Sequence, residues 1–152
     1  MERFRRNITQ LGRPTSTPSS PEEAVIETFE NPYPAKEYVV RLIAPEFTSL
    51  CPITGQPDFA TIIVDYVPDR WLVESKSFKL FIASFRNYGT FQEQGTVYIH
   101  ERLKEALKPK YLRVVGIWNA RGGIAIHVCV ESGLLPPDCH PLPLNPPNLH
   151  NS

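Results

Sequence analysis

Val73-Glu74-Ser75-Lys76-Ser77-Phe78-Lys79-Leu80-Phe81 is the stretch at which this chain changes period. Upstream, Phe59-Ala60-Thr61-Ile62-Ile63-Val64-Asp65-Tyr66-Val67 alternates and puts Ala60, Ile62, Val64 and Tyr66 on one face of a strand. From Phe78 onward the spacing is helical, with Phe78, Phe81, Ile82 and Phe85 in one apolar stripe that Asn87 and Gly89 end. A second stripe, Ile99, Leu103, Ala106 and Leu107, is closed by Pro109. Tyr38, Val40 and Leu42 alternate ahead of these elements, and a loop holding Pro45, Pro52, Gly55 and Pro57 is expected after them. Pro68-Asp69 reads as a turn. Past the helices, Leu112, Val114, Gly116 and Trp118 share one strand face, and Ile124, Ile126, Val128 and Val130 another. Arg121-Gly122-Gly123 is short enough to join those two as an antiparallel hairpin. The order strand–strand–helix–helix–strand–strand predicts one four-stranded sheet covered on one face by two helices.

Proline marks the ends of this unit. Of 16 prolines, 11 fall in residues 1–36 or 135–152, where they leave neither continuous ladder donors nor a packed face. Residues 1–33 are therefore expected as an extended or disordered arm, 34–134 as the folded unit, and 135–152 as a proline-rich tail. Such arms can wrap neighbouring subunits. Lys+Arg and Asp+Glu both number 16, so net charge gives no sign of a nucleic-acid partner. No apolar run approaches the ~18 residues that a membrane span needs. The start, Met1 to Gln10, lacks the hydrophobic segment of a secretory leader. Cys51, Cys129 and Cys139 form no C-x-x-C pair, which fits a reducing cytoplasm.

Two segments carry candidate chemistry. Thr48-Ser49-Leu50-Cys51-Pro52-Ile53-Thr54-Gly55-Gln56-Pro57-Asp58-Phe59 sets a thiol in a polar, proline-stiffened loop seven residues before a carboxylate. A Cys51 thiolate could attack an electron-poor carbon while Asp58 moves the proton, although Asp58 also reads as a turn residue at a strand entry. Cys129 lies on the polar face of the last strand together with His127, and Cys139 lies in the tail. Asp65 and Asp69 read as ordinary polar-face and turn residues. In the second segment, Glu74 and Ser75 suit the positive end of a helix without any function. Lys76 and Lys79 do not, and lysines beside free helix amides suit an anion such as phosphate. Glu93 is either a helix-start carboxylate or a bidentate acceptor for a ring with adjacent N–H groups. His100 reads as solvated beside Glu101 and Lys104, and His140 and His150 fall in the tail. No close-spaced ligand pair supports zinc, so no metal is expected.

These motifs, with Ser84-Phe85-Arg86-Asn87-Tyr88-Gly89-Thr90-Phe91-Gln92-Glu93 and the run from Pro109 to Ile124, resemble the short, single-module form of 7-cyano-7-deazaguanine reductase, the NADPH-dependent nitrile reductase of queuosine biosynthesis. The resemblance covers about residues 33 to 131. It implies the α+β tunnelling fold (ββααββ), a four-stranded antiparallel sheet with two helices on one face. Such units assemble into a multi-subunit barrel, typically a homo-oligomer of two stacked pentamers with active sites between subunits. It further implies Cys51 as the nucleophile that forms a covalent thioimide and Asp58 as the proton donor. Val73, Glu74, Ser75, Gln92 and Glu93 correspond to substrate-binding positions, with Glu93 anchoring the deazaguanine edge. Lys76, Ser77 and Lys79 fall in the cofactor signature, and Arg121 is a further cofactor candidate. The implied cofactor is NADPH, two per turnover, because a nitrile needs two hydrides to become an amine. A small nucleobase is the implied partner, with no direct nucleic acid and no membrane, in the cytoplasm.

Two rival readings follow from the same residues. A hydride-free relative transfers nitrogen to the same nitrile carried on transfer RNA and would keep Cys51 and Asp58, but it could lose the lysine-rich helix start. A non-catalytic purine- or pterin-binding barrel would keep only the fold. One departure from the family pattern is Gln92, where histidine is usual. Glutamine hydrogen-bonds but does not relay a proton near neutral pH. Replacing Gln92 with His is therefore expected to change the pH profile of turnover while activity persists in both forms. Identical steady-state rates and pH profiles for the two proteins would defeat that role.

Overall fold

The computed structural model describes residues 8–144. Its elements are β1 (Thr28–Glu30), β2 (Val40–Leu50), β3 (Pro57–Val67), β4 (Trp71–Val73), α1 (Ser75–Ala83), α2 (Gln92–Leu107), β5 (Tyr111–Trp118) and β6 (His127–Gly133). The four long strands form one antiparallel sheet in the order β2-β3-β5-β6. Both helices lie on the face that the alternation picked out. Ile62, Val64, Tyr66, Leu112, Val114 and Trp118 pack there against Phe81, Phe85, Ile99, Leu103 and Leu107, all of them buried. Burying each such side chain contributes about 1.5–3 kcal/mol, which makes this layer the main source of stability. Phe47 knits its edge, meeting Phe85 at 5.1 Å and Trp118 edge-on at 5.5 Å between ring centroids.

Several boundaries differ from the sequence expectation, each for a physical reason. The first strand does not stop before Pro45 but runs to Leu50, with the register shifting between Ala44 and Phe47. An edge strand tolerates proline at such a bulge because no ladder donor is needed there. The last strand begins at His127, later than the alternation suggests, and Ile124 is exposed in the hairpin. That hairpin closes on Gly122 and Gly123, both at positive φ, with Arg121 and Ile124 bridged across it. Paired left-handed residues match the twist of the flanking strands. β1 and β4 form a second, two-stranded ladder that three-residue runs could not announce.

The N-terminal segment is extended, but it packs. Ala24 joins the main core, and the Glu27 N–H donates to the Ser77 hydroxyl at 2.9 Å while the Glu27 carbonyl accepts from the Glu74 N–H at 2.9 Å. Arg102 crosses the Phe81 ring and donates to the carbonyls of Pro21 and Ala24. The packed unit therefore begins ahead of the expected start at residue 34, and residues 1–7 lie outside the described residues.

The tail covers part of the helix-free face of the sheet, while His127, Cys129 and Glu131 of β6 stay exposed there. Leu135 and Cys139 pack on Val39, Val67 and Tyr111. Arg41 donates to the carbonyls of Leu142 and Pro143 at 2.7 and 2.6 Å. The rest of the tail, with His150, lies outside the described residues. Asp65, expected to be an ordinary polar-face residue, is buried beneath this cover. It accepts both Arg41 Nε and Nη2, at 2.6 and 2.8 Å, and Arg113 Nη2 at 2.6 Å. His100 is also buried rather than solvated, between Glu101 and the Ser132 hydroxyl, each at 3.0 Å.

Burial alone would push the Asp65 carboxyl up, but the two guanidinium groups more than offset it and hold it below its ordinary range. A carboxyl depressed by folding adds stability above its unfolded value of about 4, and that stability is lost as pH falls through the lower folded value. Asp65→Ala leaves two arginines unpaired under the tail, so it is expected to cost roughly 3–5 kcal/mol in urea unfolding at neutral pH, and less in acid. An equal loss at acid and neutral pH would show that the ion pairs are not its source.

Candidate active site

The thiol is fixed by the ends of its own loop. Cys51 directly follows β2, and its N–H donates to the Gln56 carbonyl at 2.8 Å while its carbonyl accepts the Gly55 N–H at 2.9 Å. Gly55, at φ +70, makes that clasp possible. The Leu50 N–H donates to the Tyr88 carbonyl and the Thr90 N–H to the Leu50 carbonyl, at 2.9 and 3.0 Å, so the segment before α2 is laced to the end of β2.

Asp58, the second residue of β3, points to the helix-bearing face and is 3% exposed. Arg121 reaches it from the Gly122-Gly123 hairpin, with Nη1 at 3.0 and 3.2 Å from the two carboxylate oxygens. Gln92 Nε2 donates to the same carboxylate at 3.3 Å. Gln92 is itself placed by the core. The Trp118 indole donates to the Thr96 hydroxyl at 3.0 Å, and that hydroxyl donates to the Gln92 carbonyl at 2.9 Å. A Cβ at residue 116 would stand 2.4 Å from the Thr96 oxygen, so Gly116 is required there.

Cys51, Asp58, Gln92, Glu93 and Arg121 thus line one cleft of about 390 Å³, with Phe91 and Ile124 as exposed apolar walls. The Cys51 thiol is lowered from its ordinary value to about 6. Hydrogen bonds from the Thr54 hydroxyl and amide, the Ile53 amide and the Arg121 guanidinium favour the thiolate over a small desolvation penalty. Cys129 and Cys139 go the other way, pushed up first by burial and then by nearby carboxylates. The cleft therefore offers a nucleophile, a carboxyl group in reach of the same space, and a flat apolar mouth bordered by an acceptor carboxylate.

The remaining candidates are elsewhere. None of Val73, Glu74, Ser75, Lys76, Ser77 and Lys79 lines this cleft. Glu74 caps α1, its carboxylate accepting the amides of Lys76 and Ser77 at 2.7 and 2.8 Å, and it is buried. Ser77 has no exposed surface and is bonded to Glu27 and the Glu74 carbonyl. Lys76 Nζ is held by the carbonyls of Gln10 and Arg13. Ser75 and Lys79 are exposed and border a groove of about 470 Å³ between β2 and α1, where Arg86 adds a second cation over an apolar floor. Sequence reasoning missed Thr54, Thr96 and the pairing of Arg121 with Asp58. A hydroxyl three residues after the thiol was a usable signal for the first. The other two depend on contacts distant in sequence. Among the described residues no cluster of three His, Cys, Asp or Glu side chains could hold a metal ion, and no helix is long and apolar enough to cross a membrane.

Comparison with known proteins adds to this geometry. Residues 57–135 match the family model described as QueF-like protein. The chain is 64% identical over 138 residues to the NADPH-dependent 7-cyano-7-deazaguanine reductase of Syntrophobacter fumaroxidans, covering 91% of this chain and 89% of that one. It is 54% identical over 131 residues to the Parvibaculum lavamentivorans protein of the same name, covering 86% and 85%. Among solved structures, the archaeosine synthase QueF-Like in its apo form is similar with a TM-score of 0.59 at 30% identity, over 64% of this chain and 96% of that one.

The three cysteines are expected to separate by reactivity. Iodoacetamide should alkylate Cys51 with a pH midpoint of about 6, and Cys129 and Cys139 only at higher pH, as read by peptide mass spectrometry. Equal midpoints for Cys51 and Cys129 would remove the thiolate from the site.

Proposed function

The chain belongs to the QueF-like family, and we propose that it catalyses the NADPH-dependent four-electron reduction of the nitrile of 7-cyano-7-deazaguanine to the aminomethyl base, a step of queuosine biosynthesis. The observation that carries this reading is the juxtaposition of a lowered thiol, Cys51, with Asp58 in one cleft. Cys51 sulfur forms a bond to the nitrile carbon as one π bond opens and its electron pair moves to nitrogen. The attacking sulfur is the thiolate, so the proton that nitrogen gains is drawn from solvent by way of Asp58, and the product is a neutral thioimide with the carboxylate regenerated. Glu93 accepts the adjacent N–H donors of the base, and Phe91 gives its ring a face. Gln92 orients Asp58 by hydrogen bond and moves no proton.

NADPH, when bound, supplies the two hydrides. The chain's own residues fit its phosphates at Ser75 and Lys79 beside the β2–α1 groove, with Arg86 near and Lys76 once the arm carbonyls release it. Val73, Glu74 and Ser75 stand at the substrate-contacting positions of the family but outside the Cys51 cleft, which supports a site completed by a second copy of the chain. Both edges of the sheet, β2 and β6, carry ladder groups without a neighbouring strand among the described residues, as a barrel of repeated units requires. A decamer of two pentamers in the cytoplasm is the assembly we assign.

The similarity to the archaeosine synthase favours one alternative, a hydride-free transfer of nitrogen to the same nitrile. Incubation with 7-cyano-7-deazaguanine and NADPH separates the two. Loss of the reduced-nicotinamide absorbance, with two NADPH consumed per amine and no turnover in Cys51→Ala, is expected. A thioimide adduct without NADPH oxidation would point to the transferase, and no adduct at all would overturn both.

A further inference from the structure

We propose that Arg121 is a positioning residue that holds Cys51 and Asp58 as one matched pair, and not an anchor for a cofactor phosphate. Among the cleft's lining residues it is the one cation, facing Cys51, Asp58 and Glu93. Without it, a thiolate and two carboxylates would share a single small volume, and each would disfavour ionisation of the others. The guanidinium is shared out by geometry. Nη1 spans both oxygens of Asp58 at 3.0 and 3.2 Å, and Nη2 turns toward Thr54 and Gln56 at 3.5 Å, over the loop that carries the thiol. Cys51 lines the same cleft, at the head of the loop that Nη2 approaches.

This use leaves little of Arg121 for an anion. Asp58 is buried, and Arg121 is its only ion-pair partner among the described residues. A phosphate drawing the guanidinium away would leave that carboxylate unpaired inside the protein, which is strongly disfavoured. The lysines of α1 carry no such obligation toward Asp58. The hairpin also explains why an otherwise exposed side chain is held in place. Arg121 and Ile124 exchange backbone hydrogen bonds at 3.0 and 3.1 Å across Gly122-Gly123, and the Asn119 N–H bonds the Phe59 carbonyl at 2.9 Å, next to Asp58. The backbone is therefore fixed on both sides of the arginine.

The inference deepens the reductase reading and takes Asp58's role from it, but its first test does not depend on that reading. The pH midpoint of Cys51 alkylation by iodoacetamide is compared in the full chain and in Arg121→Ala, Arg121→Gln and Arg121→Lys, with thermal unfolding of each. The midpoint should rise by about one unit or more in Ala and Gln, equal to a roughly tenfold loss of thiolate below pH 6. Lysine, which keeps the charge but not the fork, should restore part of it. In turnover assays the same variants should lose kcat, with KM for NADPH changed less than twofold. An unchanged Cys51 midpoint in any folded variant lacking the guanidinium overturns the proposal. So does a rise in KM for NADPH at constant kcat, which would return Arg121 to the cofactor. A shifted midpoint in a protein that reduces no nitrile leaves the pairing intact and defeats the reductase reading instead.

Discussion

The sheet can be covered by helices on only one face, and that constraint decides where every polar group of the site stands. α1 and α2 bury their stripes against the same side chains of β3 and β5. The face beneath them is sealed, so chemistry is confined to strand ends, loops and helix termini. The antiparallel register then brings three of these ends together. Leu50 lies opposite Pro57, and Ala60 opposite Trp118. The end of β2, the start of β3 and the end of β5 thus share one rim, where Cys51, Asp58 and Arg121 emerge. The first turn of α2 opens onto the same rim because Thr96 ties it to Trp118.

The opposite face obeys a different rule. It carries Asp65, Arg41 and Arg113, which cannot be buried singly, and the tail covers them only because their charges meet first. The proline-rich tail forms no strand or helix among the described residues. It follows the sheet by lending its carbonyls to Arg41, a mode of packing that needs acceptors and no N–H groups, which suits a segment rich in proline.

What the sequence revealed and what it hid divide along contact range. The stripes of α1 and α2 and the alternation of β3 and β5 are local periodicities, and every residue named on the inner faces of β3 and β5 is buried. Cys51 and Asp58 were legible because the loop joining them is short and their residue types are specific. Pro45 reads as a loop residue in sequence, but β2 is an edge strand and runs through it at a bulge where no ladder donor is needed. His100 and Asp65 misled because charge suggested solvent, and only the fold shows that Ser132, Arg41 and Arg113 come to meet them. Arg121 is the sharpest case. Read in sequence it is one basic residue beside two glycines, whereas in space it completes an ion pair with a carboxylate 63 positions away.

The same reasoning narrows the opening segment, Val73 to Phe81. A helix start has free amides, and a phosphate can satisfy them only where no side chain already has. Here Glu74 takes the amides of Lys76 and Ser77, and the arm takes the Lys76 ammonium and the Ser77 hydroxyl. An anion approaching α1 therefore meets Ser75 and Lys79, not the helix dipole unopposed. The further cations at hand are Arg86, which lines the same groove as Lys79, and Lys76, whose ammonium the arm carbonyls hold. The α1 segment thus stands away from the thiol of its own chain, and its open cation, Lys79, faces the groove between β2 and α1.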